Sequence, residues 1–236
     1  MKQLSFLFMA ALLAGVLLTV PASAAIITIN GTDFTNGQNN QLIGTLVWTS
    51  SAGNFQQKTV AGITGVGITG PPESGEIDFG EFLTATTTSL PFWVPSFTLG
   101  ALFDGPEFND VQEVAQVTIT SLSLGTRTFR LINTYDAVIP PDTALWDGYG
   151  TVGNLSPSTG AGGGVWQITN PFGPIRDITS IQFTALKGDC GYGPCTNQPD
   201  FTLVQLQYET VPEPGTYALL GAGLIALGLL ARRRRS

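Results

Sequence analysis

The chain has 236 residues, with 10 Lys and Arg, 17 Asp and Glu, and no His. That length fits one domain with appendages. The missing histidine excludes a Ser-His-Asp triad, a Cys-His pair and any His-ligated metal site within this chain, and two Cys cannot form a Cys₄ zinc site. Segment 25–214 holds all seventeen acids against Lys58, Arg127, Arg130, Arg176 and Lys187, a net −12 that repels phosphate backbones, so no nucleic-acid partner is expected.

Residues 1–24 read as a secretory signal peptide. Lys2 supplies the positive start, Leu4–Val20 the apolar stretch, and Ala22-Ser23-Ala24 the small-residue cleavage site, just after the helix-ending Pro21. Signal peptidase is the implied partner, and the mature chain is expected to begin at Ala25.

The body, 25–210, carries strand-like runs rich in β-branched and aromatic residues between Gly/Pro/Asn/Asp clusters. The runs are Ile26–Asn30, Leu42–Thr49, Glu76–Leu83, Phe97–Phe103, Glu113–Leu122, Arg127–Ile132, Val165–Thr169, Ile178–Leu186 and Phe201–Tyr208. Val117 and Ile119 alternate with Thr118 and Thr120; Ile181, Phe183 and Ala185 repeat the pattern, as do Val204, Leu206 and Tyr208. A period of two with one apolar face predicts an antiparallel all-β fold, a two-sheet sandwich of jelly-roll type.

Two constellations could carry chemistry. The first is Glu76-Ile77-Asp78-Phe79-Gly80-Glu81. On a regular strand Glu76 and Asp78 share a face, and a bulge at Gly80 would turn Glu81 to the same side. The spacing resembles the active-site strand of retaining endo-β-glucanases of the laminarinase and lichenase type. That resemblance implies Glu76 as nucleophile, Glu81 as acid/base and Asp78 between them, with carboxyls about 5–5.5 Å apart. A row of acids protecting a strand edge is the competing explanation, and a non-catalytic protein is the leading expectation. The second is the loop with Asp104, Glu107, Asn109 and Asp110, oxygen donors suited to calcium but without EF-hand spacing. A solvated turn without a cofactor is the simpler expectation there, and Asp136, Asp142 and Asp147 read as solvent-facing acids of a loop over 135–150. Trp48, Trp93, Trp146 and Trp166 could offer stacking platforms to an extracellular polysaccharide, or fill the core.

Cys190 and Cys195 bracket Gly191-Tyr192-Gly193-Pro194. In an exported chain this predicts a local disulfide whose small ring contributes about 2 kcal/mol.

From Gly215 to Ala231 run 17 uncharged residues, followed by Arg232, Arg233, Arg234 and Arg235. As a transmembrane helix over 215–231 they would span about 25 Å, with the arginines holding that end in the cytoplasm. Together with Val211-Pro212-Glu213-Pro214, this segment, 211–236, resembles the PEP-CTERM sorting signal of exosortase-processed bacterial proteins. The resemblance implies a Gram-negative bacterium, an inner-membrane-anchored precursor, recognition of Pro212-Glu213-Pro214 by the exosortase, and delivery to the cell surface or extracellular matrix.

Overall fold

A computed structural model describes residues 25–71, 74–103, 113–134, 143–156, 164–188 and 199–210, with Gly221, Gly223 and Leu227. The chain divides into two compact units, Ala25–Val211 and Met1–Ala24 with Pro212–Ser236. In the second unit Gly221, Gly223 and Leu227 are helical. The rest of the expected membrane helix 215–231 and the signal peptide 1–24 lie outside the described residues. Among the described residues no helix is long and apolar enough to cross a membrane.

The body is all-β. Its strands are β1 (Ile26–Asn30), β2 (Asn40–Ile43), β3 (Leu46–Ser50), β4 (Phe55–Val60), β5 (Ile63–Ile68), β6 (Leu83–Thr87), β7 (Phe92–Gly100), β8 (Glu113–Ser121), β9 (Gly125–Thr134), β10 (Thr143–Trp146), β11 (Thr151–Asn154), β12 (Trp166–Thr169), β13 (Ile178–Lys187) and β14 (Thr202–Thr210). All fourteen join one curled antiparallel sheet. Hydrogen bonding resolves it into two ladders. One runs β4-β5-β14-β7-β12-β11, with β1 also on β14; the other runs β10-β9-β8-β13-β6-β3-β2. Among the described residues a single strand pair, Ile178 with Phe92, joins them. That pair is why the network is continuous where two separate sheets were expected.

The alternating residues of β8 and β13 do what the pattern predicts: Val117, Ile119, Ile181, Phe183 and Ala185 are buried. In β14 the expectation fails at one residue. The register slips between Leu203 and Gln205, so Val204 is a bulge, and Leu203 rather than Val204 joins Leu206 and Tyr208 in the core. A second slip in the same ladder falls at Val94-Pro95 of β7, where proline has no N–H to give. Apolar rings tie the two ladders together. Phe97 of β7 lies 5.7 Å from Phe183 of β13, centroid to centroid, and Phe34 lies 5.0 Å from Trp48 of β3 and 5.2 Å from Phe55 of β4.

Three expected elements are drawn differently. The run Leu42–Thr49 is a hairpin, β2 and β3, turning at Gly44-Thr45. Gly44 has φ +62°, and a Cβ there would lie 2.2 Å from the Tyr208 hydroxyl. That hydroxyl instead accepts the Thr45 N–H at 2.8 Å, which locks the hairpin of one ladder onto β14 of the other. The 135–150 loop contains β10; Asp147 is exposed as expected, and its carboxylate also accepts the Arg130 N–H at 2.6 Å, while Asp136 and Asp142 lie outside the described residues. Glu76–Leu83 is not a strand. Segment 74–81 is a strap with isolated bridges to both ladders, Ile68 with Glu76 and Phe79 with Ala185, and β6 begins only at Leu83.

Candidate functional site

The strap is held by close backbone approach. Gly67 of β5 lies under Glu76, where a Cβ would come within 2.3 Å of the Glu76 carbonyl carbon. The Ile68 N–H donates to the Glu76 carbonyl at 2.8 Å, and the Ile77 N–H donates to the Phe201 carbonyl at 2.7 Å. Gly75, at φ +98°, rests on the stem of Lys58, 2.9 Å from Lys58 Cβ to a built Cβ. This places the Lys58 ammonium 2.7 Å from Glu76 Oε2.

The strap brings Glu76, Asp78 and Glu81 into the fold. Their exposures are 3%, 3% and 9%, and Ile77 between the first two is fully buried. Gly80 is not a bulge. The Glu81 N–H donates to the Asp78 carbonyl at 3.0 Å, Gly80 has φ +88°, and Phe79 keeps negative φ, which together make a type II turn over Asp78–Glu81. The Asp78 N–H in turn donates to Glu81 Oε2 at 3.1 Å, so this carboxylate folds back on its own turn. Burial pushes the Glu81 carboxyl above the usual 4.5, against the lowering effect of that hydrogen bond.

Lys58 is the partner that sequence reading missed. A signal existed: it is the only cation between Lys2 and Arg127, and a buried acid needs a counter-charge. Its position, 18 residues before Glu76, followed no motif.

The tryptophans divide. Trp48 is fully buried, and Trp166 is buried with its indole N–H donating to the Leu102 carbonyl at 3.0 Å. Trp146 is half-buried, stacked 5.7 Å from Phe129, with its N–H on the Pro171 carbonyl at 3.1 Å. Trp93 is half-buried beneath the Arg176 guanidinium, 4.2 Å from the ring centre.

Among the described residues no cluster of three or more Asp, Glu, Cys or His is arranged to hold a metal ion. The calcium candidates Asp104, Glu107, Asn109 and Asp110, the cysteines Cys190 and Cys195, the signal residues Val211, Pro212, Glu213 and Pro214, and Arg232 to Arg235 lie outside the described residues.

No curated protein and no solved structure matches the chain. The family model described as the PEP-CTERM protein-sorting motif matches residues 210–235. It begins on Thr210, the last residue of β14, so fold and address adjoin without a linker. The motif indicates an exported protein, a membrane-anchored precursor and processing by an exosortase. From Thr210 onward the chain carries a PEP-CTERM sorting signal.

Proposed function

We propose that this is an exosortase-sorted surface or extracellular-matrix protein of a Gram-negative bacterium whose body is a non-catalytic β-sandwich displayed among extracellular polysaccharide. The observation that carries the non-catalytic reading is the burial of Glu76, Asp78 and Glu81 at 3%, 3% and 9% exposure. A glycan chain needs an open groove with both carboxyls at its floor. The sandwich reading is supported by the Phe97–Phe183 contact between β7 and β13 and by the Phe34 ring, which touches both Trp48 of β3 and Phe55 of β4, so that the two ladders share a core as facing layers do. The body has more strands than a simple eight-stranded jelly roll. Among the described residues the aromatic rings most open to polysaccharide are Phe79, 57% exposed, and Tyr149, 52% exposed, with Trp146 and Trp93 half-buried.

One observation favours the second reading, a retaining β-glucan hydrolase. Burial raises the Glu81 carboxyl, as a proton donor in double displacement requires. The test is to incubate the purified protein with laminarin, lichenan and agarose, measuring retained polysaccharide and released reducing ends for wild type and Glu76→Gln. The expected result is retention without release. Turnover by wild type that Glu76→Gln abolishes would replace the non-catalytic reading with the hydrolase.

A further inference from the structure

Four large apolar side chains face solvent at one end of the body: Ile26 at 56% exposure, Leu42 at 61%, Leu122 at 70% and Leu124 at 48%. Strand register puts them together. Ser121 at the end of β8 pairs with Ile178, Ile178 pairs with Phe92, and Phe92 pairs with Thr210, where β14 ends. Ile26 pairs with Glu209. Leu42 lies two residues before Gly44-Thr45, the turn that docks on Tyr208. All four therefore ring the end at which the chain leaves its last strand.

Leu122 and Leu124 are presented, not left loose. They form the tip between β8 and β9, and Asp177 holds that tip from below. Its carboxylate accepts the Ser121 hydroxyl at 2.6 Å and the Ser123 N–H at 2.7 Å, while its carbonyl accepts the Leu122 N–H at 3.0 Å. At the same end, the Arg176 guanidinium covers Trp93, which neighbours Glu209 across the ladder. The exposed guanidinium, held on the indole ring, is a cation of the kind found in the lipid headgroup layer.

Single exposed leucines are ordinary on a soluble surface. Four around a chain exit are not accounted for by that, and the sequence supplies the occupant. Only Val211 to Pro214 separate Thr210 from the uncharged run that starts at Gly215. Four residues reach at most about 14 Å.

We infer that this end of the body is a membrane-contacting surface, with Leu122 and Leu124 inserting among the acyl chains of the outward leaflet and Arg176 meeting lipid phosphates while the precursor is anchored. The inference rests on the anchored-precursor reading of the sorting signal. It gives the apolar rim a use before processing, and it orients the opposite end of the fold, with Leu155, away from the bilayer.

The test uses the full chain in vesicles of phosphatidylethanolamine and phosphatidylglycerol with brominated acyl chains. A fluorescent amino acid is placed in turn at Ser123, at Leu227 in the apolar segment, and at Leu155, which is 51% exposed beside the far ends of β11 and β12. Emission should be lost at Leu227 and at Ser123 but kept at Leu155. Leu122→Ser with Leu124→Ser should restore the Ser123 emission and leave Leu227 quenched. Quenching at Leu227 with full emission at Ser123 overturns the inference while the anchored reading stands, and would direct attention to a protein partner at this end. Ser123 quenching that survives the double substitution, or that fades as protein is diluted at fixed lipid, also overturns it. Full emission at Leu227 removes the anchored reading and the inference with it.

Discussion

Replacing Lys58 by Met separates a structural Glu76 from a reactive one. The ammonium sits 2.7 Å from Glu76 Oε2, with side-chain exposures of 28% for Lys58 and 4% for Glu76. An exposed ion pair contributes under about 1 kcal/mol, and breaking a fully buried one costs about 3–5 kcal/mol because a charge is left in low dielectric. Here the carboxylate is buried and the ammonium partly wet, so Lys58→Met should cost about 2–3 kcal/mol. Glu76→Gln should cost less, about 1 kcal/mol, because the released ammonium can turn to water. The double variant should recover part of the Lys58→Met loss, with a coupling of about 1–2 kcal/mol. In thermal unfolding of a body this size Lys58→Met should lower Tm by about 5–10 °C. Chemical denaturation of the four proteins closes the cycle. A coupling below about 0.5 kcal/mol would show that the pair behaves as a surface contact, and the account of the strap as charge-anchored would be wrong.

Two further perturbations probe the joints of the fold. Tyr208→Phe removes the hydroxyl that accepts the Thr45 N–H at 2.8 Å and leaves that donor stranded, at a cost of about 1–3 kcal/mol; an unchanged unfolding midpoint would mean that water reaches the turn. Asp177 depends on pH. Burial raises its carboxyl, but the bonds from Ser121 and Ser123 outweigh this and bring it below the ordinary 3.8. A lowered folded-state value stabilises the body above pH 3.8, and this stability is lost as pH falls through the folded value. Asp177→Asn should therefore melt lower than wild type at neutral pH, with the gap closing below pH 3.8. A gap that persists unchanged in acid would show that the carboxylate charge is not what holds the tip.

What the sequence disclosed of the fold follows the range of the forces involved. β1, β8, β9, β12, β13 and β14 were legible because each alternates apolar and polar residues against a core. β4 and β5 were not. Gly65 and Gly67 interrupt the apolar pattern of β5 because each leaves room for a close neighbour: a Cβ on Gly65 would lie 2.2 Å from the Thr202 hydroxyl, and one on Gly67 would meet the Glu76 backbone. β10 and β11, four residues each, bury none of them fully and so show no apolar face, whereas the equally short β12 buries Trp166 and Ile168. The Glu-x-Asp-x-x-Glu spacing misled on geometry, because the segment is shaped by the close approach of β5 and by Lys58, which no local pattern announces.

The sorting signal was legible for the opposite reason. The matched motif is a linear string: Pro-Glu-Pro, an uncharged apolar run and a terminal cluster of arginines, each of which is a property of consecutive residues. Nothing distant has to fold for that address to mean what it says. The body depends instead on pairs such as Thr45 with Tyr208, 163 residues apart, and its role turns on which side chains such pairs hide. Three acids placed together in sequence suggest a reaction; in the fold they lie within a strap, Glu76 against a lysine and Glu81 folded on its own turn, and that placement is the ground of the non-catalytic proposal.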